Sequence, residues 1–286
     1  MKRRTGPVTL TAAGPRRDNW RQMTIPAALD SLDRIRRQLS GRRPAVFLDY
    51  DGTLTPIVAR PELAVLSDEM RTTLHDLAAR CPVAIVSGRD RQDVENMVQI
   101  DSLVYAGSHG FDIVGPDGLK MRHEEGASYG PSLQAAAEEL ERRVGDILGV
   151  LIERKRYAVA LHYRLVAEED LLAIGLAMAE VAASYPDLRR TGGKKVYELR
   201  PGIAWDKGKA VTWLLQALQL DAPEVLPFYL GDDETDEDAF RVLEGRGIGI
   251  LVAERPDETR AHYLLRDPEE ARVFLQHLIA AVKAAP

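Results

Sequence analysis

The sequence predicts an α/β protein: a doubly wound, Rossmann-like parallel sheet built from both ends of the chain, with a smaller α+β cap inserted between them. Three observations carry this. Short apolar runs at 44–50, 82–86 and 225–230 alternate with amphipathic stretches. Each run ends in a polar cluster at its carboxyl end, Asp49-Tyr50-Asp51, Ser87-Gly88-Arg89 and Gly231-Asp232-Asp233. Between 113 and 200 the rhythm changes to paired strands with intervening helices. Continuous apolar runs mark strands covered on both faces, and strand–helix alternation implies right-handed crossovers.

Taken in order, residues 1–25 have no sustained period and read as a flexible, solvated tail; no apolar segment follows Lys2, Arg3 and Arg4 to make a secretory signal. Over 26–43, Ala28, Leu32, Ile35 and Leu39 recur at helical spacing, which predicts an amphipathic helix stopped by Gly41. The catalytic core is then expected at 44–112, with helices near 67–80 and 90–98 and a third strand at 102–105. Pro116-Asp117-Gly118 is a turn between two short strands that would open the cap, 113–200. Inside the cap, Leu133, Ala137, Leu140, Val144 and Leu148 share one face of a helix near 131–148. Strands at 150–155 and 157–164, a helix at 168–184 and strands at 188–191 and 195–200 complete it. The core resumes over 201–286 with a helix at 206–219, the strand at 225–230, a short helix, a Gly-rich strand at 245–252 and a helix at 268–284.

Composition narrows the function. A chain of 286 residues with 45% hydrophobic and 29% charged residues is neither disordered nor collagenous. Its single cysteine, Cys81, excludes a disulfide framework and a Cys-rich zinc site and suits a reducing, cytoplasmic setting. No apolar stretch approaches the ~18–20 residues that span a bilayer. The net charge is 38 − 44 = −6, unevenly spread: residues 1–43 hold 11 basic and 3 acidic residues, a balance of +8, which leaves −14 for the rest. An acidic body argues against a nucleic-acid surface.

The chemistry sits at the strand ends. Asp49 and Asp51, two apart in the turn leaving a strand, can point into one small volume and divide labour: Asp49 as nucleophile on phosphorus, Asp51 as acid and then base. The window 232–238 holds six acidic side chains and no basic one. Carboxylates converging from two strand ends make a hard oxygen site of the kind Mg²⁺ takes. Ser87 offers a hydroxyl and neighbouring backbone N–H groups to phosphoryl oxygens, and Lys207 in WDKGKA offers a point charge. A Walker-type loop is absent, because Gly202…Gly208-Lys209-Ala210 lacks both the spacing and the hydroxyl.

This ordered set resembles the four motifs of haloacid dehalogenase-like phosphatases. More narrowly, DYDGTLTPI, AIVSGRD, YAGSHG, ALHYR, KVYELRP, WDKG and GDDETDEDAF together are similar to the trehalose-6-phosphate phosphatase family, over residues 44 to the C-terminus. The resemblance implies an aspartyl-phosphate mechanism, with Mg²⁺ held by Asp49, the main-chain carbonyl of Asp51, and Asp232, and with Asp233 and Asp236 orienting those ligands. It implies substrate contact through Gly88 and Arg89, and His109, Glu153, Lys155, His162, Arg164, Lys194 and Glu198 fall where it expects sugar-contacting or cap-hinge residues. The expected substrate is trehalose 6-phosphate; the same machinery acting on sucrose phosphate or a glycosyl-glycerate phosphate is the alternative. The basic N-terminal segment has a single aromatic residue, Trp20, so a helical contact with a partner enzyme fits it better than nucleic acid or membrane. Asp49, Asp51 and the six acids of 232–238 account for over half of the −14, so the acidic body reads as a metal site facing basic cap residues.

Overall fold

The computed structural model describes residues 25–255 and 258–283; residues 1–24 of the expected tail lie outside them. The chain begins with α1 (Leu32–Leu39), β1 (Arg43–Leu48), α2 (Asp68–Ala78), β2 (Val83–Val86), α3 (Arg91–Val98) and β3 (Val104–Gly107). Next come β4 (Asp112–Val114), β5 (Lys120–Arg122), α4 (Glu124–Ala127), α5 (Gly130–Val144), β6 (Leu151–Arg154), β7 (Val159–His162) and α6 (Leu171–Ser184). The remainder is β8 (Leu188–Gly193), β9 (Val196–Pro201), α7 (Lys207–Ala217), β10 (Val225–Gly231), α8 (Glu237–Leu243), β11 (Ile248–Val252), β12 (Tyr263–Leu265) and α9 (Pro268–Lys283).

One sheet has the order β12-β11-β10-β1-β2-β3-β4-β5, parallel except for β4 and β5. From β1 the chain moves one way to β2 and β3, and later the other way through β10 to β12. The crevice therefore opens beyond the carboxyl ends of β1 and β10, where strand order reverses. The apolar run of β1 has a two-residue alternation hidden inside it. Ala45 and Phe47 pack with Val211 and Leu214 of α7 and Phe240 of α8. Val46 and Leu48 pack with Ile35 of α1, Leu74 of α2, Val94 of α3 and Phe274 of α9. Both faces are covered, so both alternating sets must be apolar.

The second sheet, β6-β7-β9-β8, is antiparallel and carries α5 and α6 on one face. Val159, Leu161 and Leu199 point into that small core. The alternate residues His162, Glu198 and Arg200 project from the other face.

Two expectations change. The helix expected over 26–43 is confined to Leu32–Leu39, after a single 3₁₀ turn at Leu29–Ser31. Pro26 and Ala28 instead bond the edge strand β12, Leu264 N–H donating to Pro26 O (3.0 Å) and Ala28 N–H to Leu264 O (2.8 Å). Gly41, in the left-handed region at φ 74°, turns the chain into β1 at Arg43. The apolar stripe of that helix leans on the domain that follows, with Ile35 and Leu39 buried in the main core. Finally, β4 and β5, sequence that had been assigned to the cap from 113, pair onto β3 and extend the large sheet. The strand β12 has no counterpart in the sequence reading.

Candidate active site

Asp49 follows β1 directly and is 5% exposed. Its Oδ1 accepts a hydrogen bond from Lys207 Nζ at 2.8 Å, and the same ammonium donates to Asp236 Oδ1 at 2.7 Å. Lys207 is placed there by the start of α7, where Asp206 caps the helix by accepting from Lys209 N–H (2.8 Å). Burial opposes the lysine charge, but Asp236 and Asp49 outweigh it and hold the ammonium above its ordinary range.

Asp236 is fully buried and all its acceptor capacity is used. Oδ1 takes Lys207 and the Tyr229 hydroxyl (2.6 Å); Oδ2 takes the backbone N–H groups of Asp232 and Asp233, each at 3.0 Å. It thereby fixes the loop that presents Asp232 and Asp233. Carboxylate oxygens of Asp49, Asp232 and Asp236 lie within 4.8 Å of one another. Burial pushes Asp49 well above the usual carboxylate range, with Lys207 opposing and Asp236 and Asp232 reinforcing. Asp232 is pushed up to about 7, chiefly by burial, against the pull of Lys194. A buried all-oxygen cluster short of positive charge is a donor set that suits a hard dication. Gly52, at φ 79°, allows the close approach: a Cβ there would stand 1.9 Å from Asp232 Oδ2.

Both oxygens of Asp51 accept from Arg89, Nε to Oδ2 and Nη2 to Oδ1, each at 2.7 Å. Arg89 also donates to Pro61 O (2.8 Å) and lies over the Tyr50 ring. Its guanidinium is thus committed to Asp51. Ser87 is 1% exposed, and its Oγ accepts from Arg89 N–H (3.1 Å), which closes the turn after β2.

The second sheet and the loops beside it supply the opposite wall. Lys155 Nζ donates to Glu198 Oε1 (2.9 Å) and to Gly88 O (3.2 Å). His109, in the left-handed region at φ 57°, pairs through Nε2 with Glu198 Oε2 at 3.0 Å. Burial and then Arg200 push the His109 imidazole down to about 3, so it is neutral at pH 7 and donates from Nε2 to the carboxylate. Burial would raise Glu198, yet Lys155, His109 and Arg200 hold it well below the usual range. Glu153 behaves alike: burial is outweighed by His162, whose Nε2 lies 2.8 Å from Oε2, and by Lys155. Lys194 Nζ donates to Asp232 Oδ2 at 2.5 Å, while Arg164 donates to Val58 O and to Lys194 O.

These walls enclose a cavity of about 160 Å³. Asp49, Asp51, Lys207, Asp232 and Asp233 line it, as does every residue assigned to substrate except Lys194. Ser87 and Asp236 stand behind the wall. Sequence reasoning missed Tyr229, hidden in the apolar run of β10, and the rim formed by Ile57, Val58 and Pro61. The hydroxyl in an otherwise apolar β10 is the one signal for Tyr229. Arg200, 5% exposed beside Glu198, was passed over as part of an ordinary strand.

Residues 47–269 match the Trehalose-phosphatase family. The chain belongs to that family. It is 40% identical over 291 residues to a trehalose 6-phosphate phosphatase of Zea mays, covering 94% of this chain and 80% of that one. It is 43% identical over 283 residues to a probable trehalose-phosphate phosphatase of Oryza sativa, covering 91% and 74%. Among solved structures, the C-terminal domain of the Candida albicans trehalose-6-phosphate phosphatase superposes with a TM-score of 0.78 at 24% identity, over 90% of this chain and 99% of that one. A haloacid dehalogenase-like hydrolase of Bacteroides thetaiotaomicron superposes at 0.58 with 14% identity, over 85% and 98%. This trehalose-phosphatase family member therefore has the haloacid dehalogenase-like fold, and the cluster around Asp49 lies at the carboxyl ends of β1 and β10. Phosphoric monoester hydrolysis is the family's reaction.

Proposed function

We propose that the protein hydrolyses trehalose 6-phosphate to trehalose and phosphate in a Mg²⁺-dependent reaction through an aspartyl-phosphate. The observation that carries this is a single cavity with Asp49 on its core wall and Glu153, Lys155 and Glu198 on its cap wall. Asp49 Oδ1 is held by Lys207, which leaves Oδ2 without a hydrogen bond among the described residues and available to attack. Attack on phosphorus breaks the bond to the sugar's 6-oxygen, which takes a proton from Asp51. Water then attacks the aspartyl-phosphate and gives its proton to Asp51, releasing phosphate and regenerating Asp49.

Asp49, Asp232 and the Asp51 carbonyl would hold Mg²⁺, which when bound supplies positive charge toward the phosphoryl oxygens. Lys207 fixes the Asp49 rotamer and adds a fixed charge beside the reacting group. Asp51 reaches the leaving oxygen only after releasing Arg89, so the clamp and the acid role alternate. On the cap wall, Glu153, Lys155 and Glu198 offer carboxylate acceptors and an ammonium donor of the kind sugar hydroxyls pair with. Asp233 and Asp236 act on the reaction through the loop that carries Asp232. In the domain reading that goes with this function, the second sheet and its helices form the cap over a core drawn from both ends of the chain.

The test is phosphate release from trehalose 6-phosphate, sucrose 6-phosphate and glucose 6-phosphate with Mg²⁺ present. Trehalose 6-phosphate should turn over far faster than the others. Equal rates across the panel overturn the substrate while leaving the phosphatase. Asp49→Asn should abolish turnover while the circular-dichroism spectrum stays unchanged; substantial residual activity overturns the covalent route.

A further inference from the structure

The basic balance of residues 1–43 is not used by the site above, and two of its arginines lead to a different place. At the amino ends of β10 and β11, remote from the catalytic crevice, lies a cavity of about 310 Å³. Its polar wall is Arg34 and Gln38 of α1, Arg42, Arg246 and His262, and no carboxylate lines it. Arg34, Gln38 and His262 are exposed and Arg42 and Arg246 half-buried, so it is an open hollow lined by cations in a chain with a net charge of −6.

The cations are arranged rather than scattered. Arg42 is anchored by backbone carbonyls, Nε donating to Pro223 O (3.0 Å) and Nη2 to Val225 O (2.6 Å) and Arg246 O (3.3 Å). Carbonyls fix the guanidinium without cancelling its charge, so the ordering cost is met before any ligand arrives. Its Nη1 makes no hydrogen bond among the described residues. Arg246 is held by Val242 O (3.0 Å) and by Asp221 Oδ1 (2.8 Å), and that carboxylate offsets its charge. His262 Nδ1 accepts the Gly249 N–H at 3.0 Å, which places the ring proton on Nε2 as a donor. Arg34 forms no ion pair among the described residues, and its charge acts on His262 across the cavity. Glu244, the acid that also faces His262, is paired with Arg260 at 2.7 Å.

We propose that this cavity is a second anion site, built for a phosphate-class oxyanion held by Arg34, Arg42 and His262. Tetrahedral oxyanions match it because their several oxygens accept from separate donors at once, and guanidinium groups pair with them in forked geometry. The proposal stands on these residues alone and is independent of the reaction assigned to Asp49.

The experiment is calorimetric titration of inorganic phosphate into the Mg²⁺-loaded enzyme at low salt. Wild type should bind at two sites. Arg34→Glu, an exposed change on α1, should weaken one of them at least tenfold while turnover stays within twofold of wild type. His262→Gln should weaken the same site. Crystals soaked in tungstate, a phosphate mimic, should carry an anomalous peak between Arg34, Arg42 and His262. A wild-type isotherm with no component that Arg34→Glu weakens, or tungstate at Asp49 alone, would overturn the proposal; a single site lost in Arg34→Glu would leave it standing and count instead against phosphate binding at Asp49.

Discussion

Replacing Lys207 by Met tests the electrostatic core of the site. Lys207 is 3% exposed and its ammonium bridges Asp49 at 2.8 Å and Asp236 at 2.7 Å. Methionine keeps most of the volume and removes the charge, leaving Asp49 and Asp236 without their shared cation. Breaking a buried pair by deleting one partner costs about 3–5 kcal/mol. With an unfolding entropy near 2.1 cal/mol/K per residue, a chain of this size should lose about 5–8 °C in Tm. The pH dependence separates this from a packing defect. The Lys207 pKa is raised in the folded state, so its stabilisation is complete below the unfolded lysine value and is constant from pH 5 to 8. Asp49 is also raised, so the stability tied to its protonation is present below the unfolded carboxylate value and is lost as pH climbs through the folded one. Without the lysine that folded value climbs further, so the variant's loss of stability should continue to higher pH than that of wild type. Thermal melts of metal-free protein at pH 5, 6.5 and 8, followed by circular dichroism, read the difference. Tm values within about 1 °C of wild type at every pH, or an equal deficit throughout, would refute the reasoning.

Gly52→Ala forces a Cβ to 1.9 Å from Asp232 Oδ2 at a backbone φ of 79°, and should cost roughly 1–3 kcal/mol along with most of the activity; denaturant unfolding and phosphate release measure the two, and an unaffected variant would show that the loop can shift freely. His109→Ala removes the donor to Glu198, so KM for trehalose 6-phosphate should rise while a small aryl phosphate is spared; equal losses on both substrates would place His109 in the chemical step instead. Because Asp232 is pushed up to about 7, its proton is shed between pH 6 and 8, and a dication gains a ligand there. The increase in Tm on adding Mg²⁺ should therefore be larger at pH 8 than at pH 5.5, and equal increments would count against Asp232 as a ligand.

The placement of the strand-end polar residues was legible because its signal is local. Asp49, Ser87 and Asp232 each sit at the end of an apolar run, and that pattern marks a strand end without any knowledge of the neighbours. Lys207 was readable from the helix start after Asp206. What the sequence could not carry was pairing over long separations. Arg89 was assigned to substrate and lines the cavity, but its pairing with Asp51, 38 residues away in the chain, had no local signal. His109 and Glu198 meet across 89 residues and two sheets, so neither periodicity nor spacing announces their bond. The strand pair β4–β5 was visible as a hairpin, but which sheet a hairpin joins is decided by the edge it meets. The N-terminal helix was overextended because Pro26–Ala28 finds backbone partners on β12, a tertiary preference that overrides the apolar spacing.

That last contact also bears on solubility. A long parallel sheet ends in two open margins that could recruit a strand from another molecule. Here one margin is sealed by the backbone of Pro26 and Ala28 along Leu264, and the other ends in β5, three residues long and carrying Lys120 and Arg122. The short segment ahead of α1 therefore serves as a selvedge, and a chain begun at Leu29 would keep its catalytic crevice while baring Leu264 to its neighbours.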